Sequence, residues 1–193
     1  NADGIGDFQG IIEKLDYIRE LGCNALWINP CFKSPFGDAG YDVADFYSVA
    51  PRYGTNEDLK RLFAQAHQRH MHVLLDLVPG HTSVEPALKY GFLNPTLPWQ
   101  QPMDAPGPRA TLEELKNIMR FWLSMGCDGF RVDMAGSLVK HDPDSRGTIR
   151  LWQEIRAFLD EEFPAAAMVS EWGEPDKSLQ GGFHMDFLLH FGP

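Results

Sequence analysis

The strongest constraint on the fold is a regular alternation between segments of helical periodicity and short runs of apolar residues. Residues 73–78 form a nearly continuous apolar run, which is typical of a strand covered on both faces. Apolar residues recur at helical spacing over residues 8–21, before Gly22. A second helix is predicted to begin at Thr55, with Asp58 three residues later. This alternation predicts parallel βα units.

The remaining predicted strands and helices continue this alternation. Strands are predicted at residues 25–28, 129–132 and 168–171, with another at 187–189. Thr111 and Glu114 form a capping-box pattern that predicts the start of a third helix, and a fourth is predicted from about Thr148 to Glu162. The proline-rich, polar residues 90–109 predict an irregular loop.

Two architectures accommodate such units: an open doubly wound sheet and a closed (β/α)8 TIM barrel. No Gly-x-Gly-x-x-Gly pattern follows a strand, so the dinucleotide-binding fold has no support. His81 comes after one predicted strand, Asp133 stands at the end of another and Glu171 at the end of a third, and barrel enzymes place catalytic groups at those strand ends. We therefore predict an α/β TIM barrel. Because about five strands can be counted, we expect it to be incomplete, covering about strands 2 to 6.

Composition and charge limit the classes of binding partner that this chain can have. The 193 residues suffice for one domain with a core, and 44% of them are hydrophobic. A net charge of −10 argues against nucleic-acid and anionic-membrane partners, and no apolar run is long enough to span a bilayer. The odd number of cysteines (Cys23, Cys31 and Cys127) argues against a disulfide scaffold, and their apolar neighbours predict that all three are buried thiols.

Two carboxyl groups suggest chemistry. Asp133 stands two residues after Arg131, whose cation should keep the aspartate ionised. Glu171 precedes Trp172, an apolar neighbour that should raise the pKa of the glutamate and keep it protonated. An ionised and a protonated carboxyl at one cleft are what glycoside hydrolysis requires. The alternative is a structural ion pair and a solvated strand end.

Three motifs resemble those of the α-amylase superfamily, glycoside hydrolase family 13. Residues 76–81 (DLVPGH) resemble its first motif, residues 129–135 (GFRVDMA) its second, and residues 170–172 (SEW) its third. Their order and their placement after the third, fourth and fifth barrel strands also agree. Together the motifs are highly specific and the likeness covers essentially the whole chain.

The resemblance implies catalytic roles for three residues. Asp133 matches the family nucleophile, Glu171 the acid/base, and Arg131 the arginine that orients the nucleophile. The family uses such a pair to hydrolyse or transfer α-glucosides with retention of configuration. The implied substrate is an α-glucan or oligosaccharide.

It also implies sugar-binding roles. His81 matches a histidine that hydrogen-bonds sugar hydroxyls at the scissile unit, and Tyr41 matches a tyrosine that stacks on the same ring. Asp38 lies at the spacing of an aspartate that binds sugar hydroxyls in some members. The alternatives are a structural histidine and a core tyrosine.

A metal loop is implied at the start of the chain. Asn1, Asp3 and Asp7, with the backbone carbonyl of Ile5, resemble an oxygen-rich loop of several subfamilies. Hard oxygen ligands at alternating positions suit a structural Ca²⁺ ion. The alternative is a turn with solvated carboxylates.

The sequence departs from the family pattern in three places. Gly80 stands where an asparagine usually binds a separate calcium, so that second ion is not expected. Residues 84–110 form only a short remnant of the domain that the family inserts there. The fourth motif, with its third carboxylate, is absent, and residues 184–186 (HMD) are predicted to belong to the sixth barrel strand. We therefore expect a fragment of a longer catalytic barrel.

Two classes of function follow. The first is a retaining α-glucoside hydrolase or a transglycosylase of the same family. The second is a non-catalytic barrel that serves as a carbohydrate-binding or partner module. The presence of both Asp133 and Glu171 favours the enzyme.

Overall fold

The computed structural model of the 193-residue chain describes residue 4 and residues 6–83 and 106–187. In those residues, three strands follow the first helix, after which helices and strands alternate, with one short 3-10 helix. The elements are α1 Phe8–Glu20, β1 Ala25–Ile28, β2 Phe32–Lys33, β3 Asp45–Val49, α2 Asn56–His67, β4 His72–Leu77, α3 Pro106–Met125, β5 Gly129–Val132, the 3-10 helix Ala135–Ser137, α4 Arg146–Glu162, β6 Ala167–Ser170, α5 Pro175–Gln180 and β7 Met185–Asp186.

The main sheet decides between the two predicted architectures. Its five strands in the described part of the chain are parallel and lie in the order β1-β4-β5-β6-β7, which is their order along the chain. A doubly wound sheet would reverse strand order at a switch point, whereas a βα barrel adds strands in sequence.

The sheet is also curved. Trp27 belongs to β1 at one edge and Phe187 follows β7 at the other, yet their ring centroids are 5.4 Å apart. Neighbouring strands lie about 4.8 Å apart, so a flat five-stranded sheet would separate these rings by roughly 19 Å. The described strands therefore form the wall of a partial barrel, which confirms the predicted fold.

Helix α2 forms where the sequence predicts it. Thr55 accepts a hydrogen bond from the backbone amide of Asp58, whose side chain accepts one in return from the backbone amide of Thr55. This capping box satisfies amide groups that have no partner within the helix. The apolar face of α2 is fully covered and packs in the core with β4.

The core lies between the sheet and the helices. Two large tryptophans anchor it, and each indole nitrogen is satisfied despite being buried. Trp122 of α3 donates to the backbone carbonyl of Phe46 at 2.7 Å, and Trp152 of α4 donates to that of Ala135 at 3.0 Å. Because buried donors without partners are costly, these bonds hold α3 against β3 and α4 against the 3-10 helix.

Several predicted details are wrong. Helix α3 begins at Pro106, so Thr111 lies inside the helix rather than at its start, and residues 106–110 belong to α3 rather than to a loop remnant. Residues 84–105 lie outside the described part. The last described strand is Met185–Asp186 rather than residues 187–189, of which 188 and 189 are outside the described residues.

Two other features differ from expectation or add to it. Cys23 is exposed, whereas Cys31 and Cys127 are buried as predicted, and all three are free thiols. The antiparallel pair β2–β3 was not predicted, since the short β2 carries no periodic signal. In the described ranges, no helix combines the length and apolar character needed to cross a membrane.

Candidate active site

Four charged side chains meet at one edge of the curved sheet. Asp76 belongs to β4, Arg131 to β5, Asp133 directly follows β5, and Glu171 directly follows β6. The parallel register pairs Asp76 with Arg131, and the backbone amide of Glu171 bonds the carbonyl of Val132. Since the strands are parallel and in register, these residues come together at the carboxyl ends of the strands, where barrel enzymes carry their chemistry.

The guanidinium of Arg131 holds the cluster together. Its Nη1 lies 2.9 Å from Asp76 Oδ2 and 3.0 Å from Asp133 Oδ1, and its Nη2 lies 2.8 Å from Glu171 Oε2. The arginine side chain is only 6% exposed, so water screens these contacts weakly. A planar fork with five donors can bind several carboxylates at once, which lysine cannot do.

Asp133 and Glu171 lie side by side, because Asp133 Oδ1 is 3.0 Å from Arg131 Nη1 and Glu171 Oε2 is 2.8 Å from Nη2 of the same guanidinium. Burial raises the pKa of Asp133, the charge and hydrogen bond of Glu171 raise it further, and Arg131 lowers it. The expectation that Arg131 would keep this pKa low is therefore wrong, because burial outweighs the cation.

Asp76 was not predicted as a site residue, although it lies at the centre of the cluster. Its side chain is fully buried, and it accepts from Arg131, from Trp27 Nε1 at 2.9 Å and from the Tyr41 hydroxyl at 3.4 Å. Burial raises its pKa to about 6, against the opposing effect of Arg131. The available signal was an aspartate in the middle of an apolar strand, because a buried charge needs a partner.

Two aromatic rings pack against the guanidinium. The Arg131 carbon Cζ lies 4.8 Å from the centroid of the Trp27 ring and 5.9 Å from that of Phe187. A cation over an aromatic face is attracted by the ring quadrupole, and the attraction is stronger where water is excluded. Trp27 thus both donates to Asp76 and packs against its ion-pair partner.

The segment after Asp133 fits closely against the segment after Glu171. The backbone amide of Met134 donates to Glu171 Oε2 at 3.2 Å, and that of Ala135 donates to the Glu171 carbonyl at 2.9 Å. A Cβ atom at Gly136 would overlap the indole of Trp172, so only glycine permits this packing. The two strand ends that carry the carboxyl pair are therefore connected directly.

Comparison with known proteins places this geometry in a family. Residues 1–92 match the family model described as the alpha amylase catalytic domain. Trehalose synthase/amylase of Mycolicibacterium smegmatis is 28% identical over 255 aligned residues, covering 99% of this chain and 42% of that protein. Maltase A1 of Drosophila melanogaster is 32% identical over 194 aligned residues, covering 75% of this chain and 33% of the maltase. The chain belongs to the α-amylase family.

A solved structure of the α-amylase family has the same fold. The trehalulose synthase from Pseudomonas mesoacidophila MX-45 superposes with a TM-score of 0.79 at 25% identity, covering 97% of this chain and 46% of that one. The chain thus spans between about a third and a half of the length of these three relatives.

The structure brings together some of the family's expected sugar-binding residues but not all. Tyr41 is half-buried beside Asp76, within the charged cluster. His81 is half-buried on the segment after β4, at the same edge of the sheet, and makes no hydrogen bond to the carboxyl pair among the described residues. Asp38 is exposed, and its carbonyl accepts from the Tyr41 amide at 2.8 Å.

The α-amylase metal loop is described only in part. Asn1, Asp3 and Ile5 lie outside the described residues. Asp7 is the N-cap of α1, and its Oδ1 accepts from the Gly10 amide at 2.7 Å. In residues 6–83 and 106–187, no group of three or more His, Cys, Asp or Glu side chains is arranged to hold an ion. The calcium ion therefore stays a prediction.

Proposed function

We propose that this chain carries the nucleophile and the acid/base of a retaining glycoside hydrolase that acts on α-glucosidic bonds. One observation supports this most strongly: the two terminal nitrogens of the Arg131 guanidinium bind Asp133 at 3.0 Å and Glu171 at 2.8 Å, which holds the two carboxyls side by side. A structural ion pair would explain Arg131 and Asp133, but it would not require a second acid beside them.

The closeness of the pair favours retention over inversion. Inverting glycosidases hold their carboxyl groups roughly 6.5–9.5 Å apart, because a water molecule must fit between the base and the sugar. Retaining enzymes hold theirs roughly 5–5.5 Å apart, since the nucleophile attacks the sugar directly. Two carboxyls bound to the two terminal nitrogens of one guanidinium fit the shorter, retaining separation better than the longer one.

The reaction has two steps. An Asp133 carboxylate oxygen attacks the anomeric carbon and forms a glycosyl ester, while the bond to the leaving oxygen breaks and that oxygen takes the Glu171 proton. Water then attacks the same carbon and gives its proton to Glu171. The ester bond breaks, Asp133 leaves as a carboxylate, and the sugar keeps its original α configuration.

The surrounding residues support both steps. Arg131 orients Asp133 and stabilises the negative charge that returns to it when the ester breaks. Asp76 binds the same guanidinium nitrogen as Asp133, and through Trp27 and Tyr41 it ties the cluster to the barrel wall. The half-buried ring of Tyr41 offers an apolar face to a sugar.

Transfer to a second sugar is the alternative outcome of the same intermediate. Some relatives are named for hydrolysis, such as the Drosophila maltase, and others for synthesis of a disaccharide, such as trehalose synthase/amylase and trehalulose synthase. A sugar hydroxyl that replaces water in the second step gives a new α-glucoside with the same residues.

The test follows the configuration of the first product. The full-length gene product is incubated with p-nitrophenyl α-glucoside, and ¹H NMR records the anomeric signals before mutarotation. We expect α-glucose or a new α-linked disaccharide from the wild type and none from Asp133→Asn. Asp16→Asn, a surface aspartate, is the control. First release of β-glucose would exclude the retaining mechanism.

A further inference from the structure

We propose that Asp186 is a positioning residue that holds the Glu171 carboxyl in its reactive orientation. One carboxylate oxygen of Asp186 binds the residues on both sides of Glu171. The proposal rests on the proposed role of Glu171 as acid/base, and it assigns a function to a half-buried aspartate on the last described strand.

The contacts converge on a single atom. Asp186 Oδ1 accepts from the Ser170 hydroxyl at 2.6 Å and from the Trp172 backbone amide at 2.9 Å. Glu171 lies between those two residues, so its backbone is held on either side. The backbone amide of Phe187 also donates to the Ser170 carbonyl at 3.1 Å, which continues the pairing of β6 with β7 up to Glu171.

The hydrogen bonds around Ser170 have one direction. A carboxylate oxygen only accepts, so the Ser170 hydroxyl donates its proton to Asp186. The Ser178 hydroxyl, 2.6 Å from Ser170 Oγ, is then the donor of that second bond. Both serines are fully buried, and Ser178 belongs to α5. The chain Ser178, Ser170, Asp186 therefore connects α5, β6 and β7 directly behind Glu171.

Asp186 acts at a distance from the reacting atoms. In the described ranges it makes no hydrogen bond to Asp133, Arg131 or the Glu171 side chain. Its Oδ2 atom is buried without a hydrogen-bond partner among the same residues, so only Oδ1 holds the backbone around Glu171. This makes the asparagine variant informative, because it keeps one acceptor oxygen and places its amide at the unpartnered position.

The expected effect is on turnover. A misplacement of about 1 Å at a catalytic group can cost about 100-fold in rate. Asp186→Ala removes both accepted bonds, so we expect kcat to fall about 10- to 100-fold with KM little changed. Asp186→Asn can accept both bonds through its remaining oxygen and should keep most of the wild-type kcat. Asp176→Ala, an exposed aspartate on neighbouring α5, is the matched control and should behave as wild type.

The test combines kinetics with crystal structures, both on the full-length gene product. In Asp186→Ala we expect residues 170–172 to shift and the Arg131 Nη2 to Glu171 Oε2 contact, 2.8 Å here, to exceed 4 Å. In Asp186→Asn it should be kept. An unmoved Glu171 in Asp186→Ala, or equal losses of kcat in the alanine and asparagine variants, would overturn the proposal. If Glu171→Gln were as active as wild type, the proposed function would fail. The crystal structures would still show whether Asp186 holds Glu171 in place.

Discussion

Replacing Arg131 with methionine removes the cation that three carboxyl groups share, while a side chain of similar length still packs against Trp27 and Phe187. In the wild type the guanidinium lies within 2.8–3.0 Å of Asp76, Asp133 and Glu171, almost wholly out of water. Breaking a buried ion pair by removing one partner typically costs about 3–5 kcal/mol of stability. With three partners left unpaired, we expect a loss of about 5 kcal/mol of stability at neutral pH.

The loss should depend on pH in a definite direction. The pKa of Asp76 is raised from 3.8 to about 6 even with Arg131 present, and it should rise further without the cation. A carboxyl whose folded pKa lies above its unfolded value stabilises the fold in its protonated form. That contribution is complete below the unfolded pKa and is lost as pH rises through the folded pKa. The variant should therefore approach wild-type stability near pH 4. The difference in free energy of unfolding between the two proteins should reach its full size at about pH 8.

The assay is urea unfolding of the full-length gene product, followed by tryptophan fluorescence at both pH values. Arg69→Met is the matched control, because Arg69 pairs with Asp16 at a similar distance of 2.8 Å on the exposed surface. Exposed pairs contribute little, so its loss should be much smaller. Equal losses in the two variants, or a loss in Arg131→Met that does not shrink at acid pH, would refute the reasoning.

Three further predictions test the surroundings of the cluster. Tyr41→Ala should raise KM up to about 10-fold through lost stacking on the sugar, and Tyr41→Phe should restore it; unchanged kinetics in the alanine variant would make Tyr41 a core residue. Chelation should lower the melting temperature of the full-length gene product, and Ca²⁺ should restore it. An unchanged melting temperature would contradict the metal site proposed at Asn1, Asp3, Ile5 and Asp7. The 193-residue chain expressed alone should release no sugar from maltooligosaccharides, because the five described strands leave two open sheet edges; activity above its Asp133→Asn blank would contradict this.

The βα order of the barrel could be predicted because it is encoded locally. The Thr55–Asp58 capping box and the apolar strand at residues 73–78 each depend on neighbours in sequence. The same rule failed at Thr111 and Glu114, which satisfy the capping pattern inside helix α3. The carboxylate of Glu114 instead accepts from the Tyr47 hydroxyl at 2.8 Å, a contact between distant parts of the chain that no local pattern reveals.

The site was predictable where its residues lie in short motifs. Asp133 follows Arg131 by two positions, and the structure confirms their contact at 3.0 Å. The pKa of Asp133 was not predictable, because it depends on burial by the whole barrel wall. For Asp186 the sequence predicts only a place in a strand. Its proposed role depends on contacts to Ser170 and Trp172, which precede it by 16 and 14 positions and which no local pattern reveals.

The central claim is that Asp133 forms the glycosyl ester while Glu171 supplies the proton. The most direct measurement is mass spectrometry of the full-length gene product after reaction with 5-fluoro-α-glucosyl fluoride, followed by peptide mapping. We predict one added glycosyl group on the peptide that contains Asp133, and none in Asp133→Asn. A label on any other carboxylate, or turnover of substrate with Asp133 never labelled, would contradict the account.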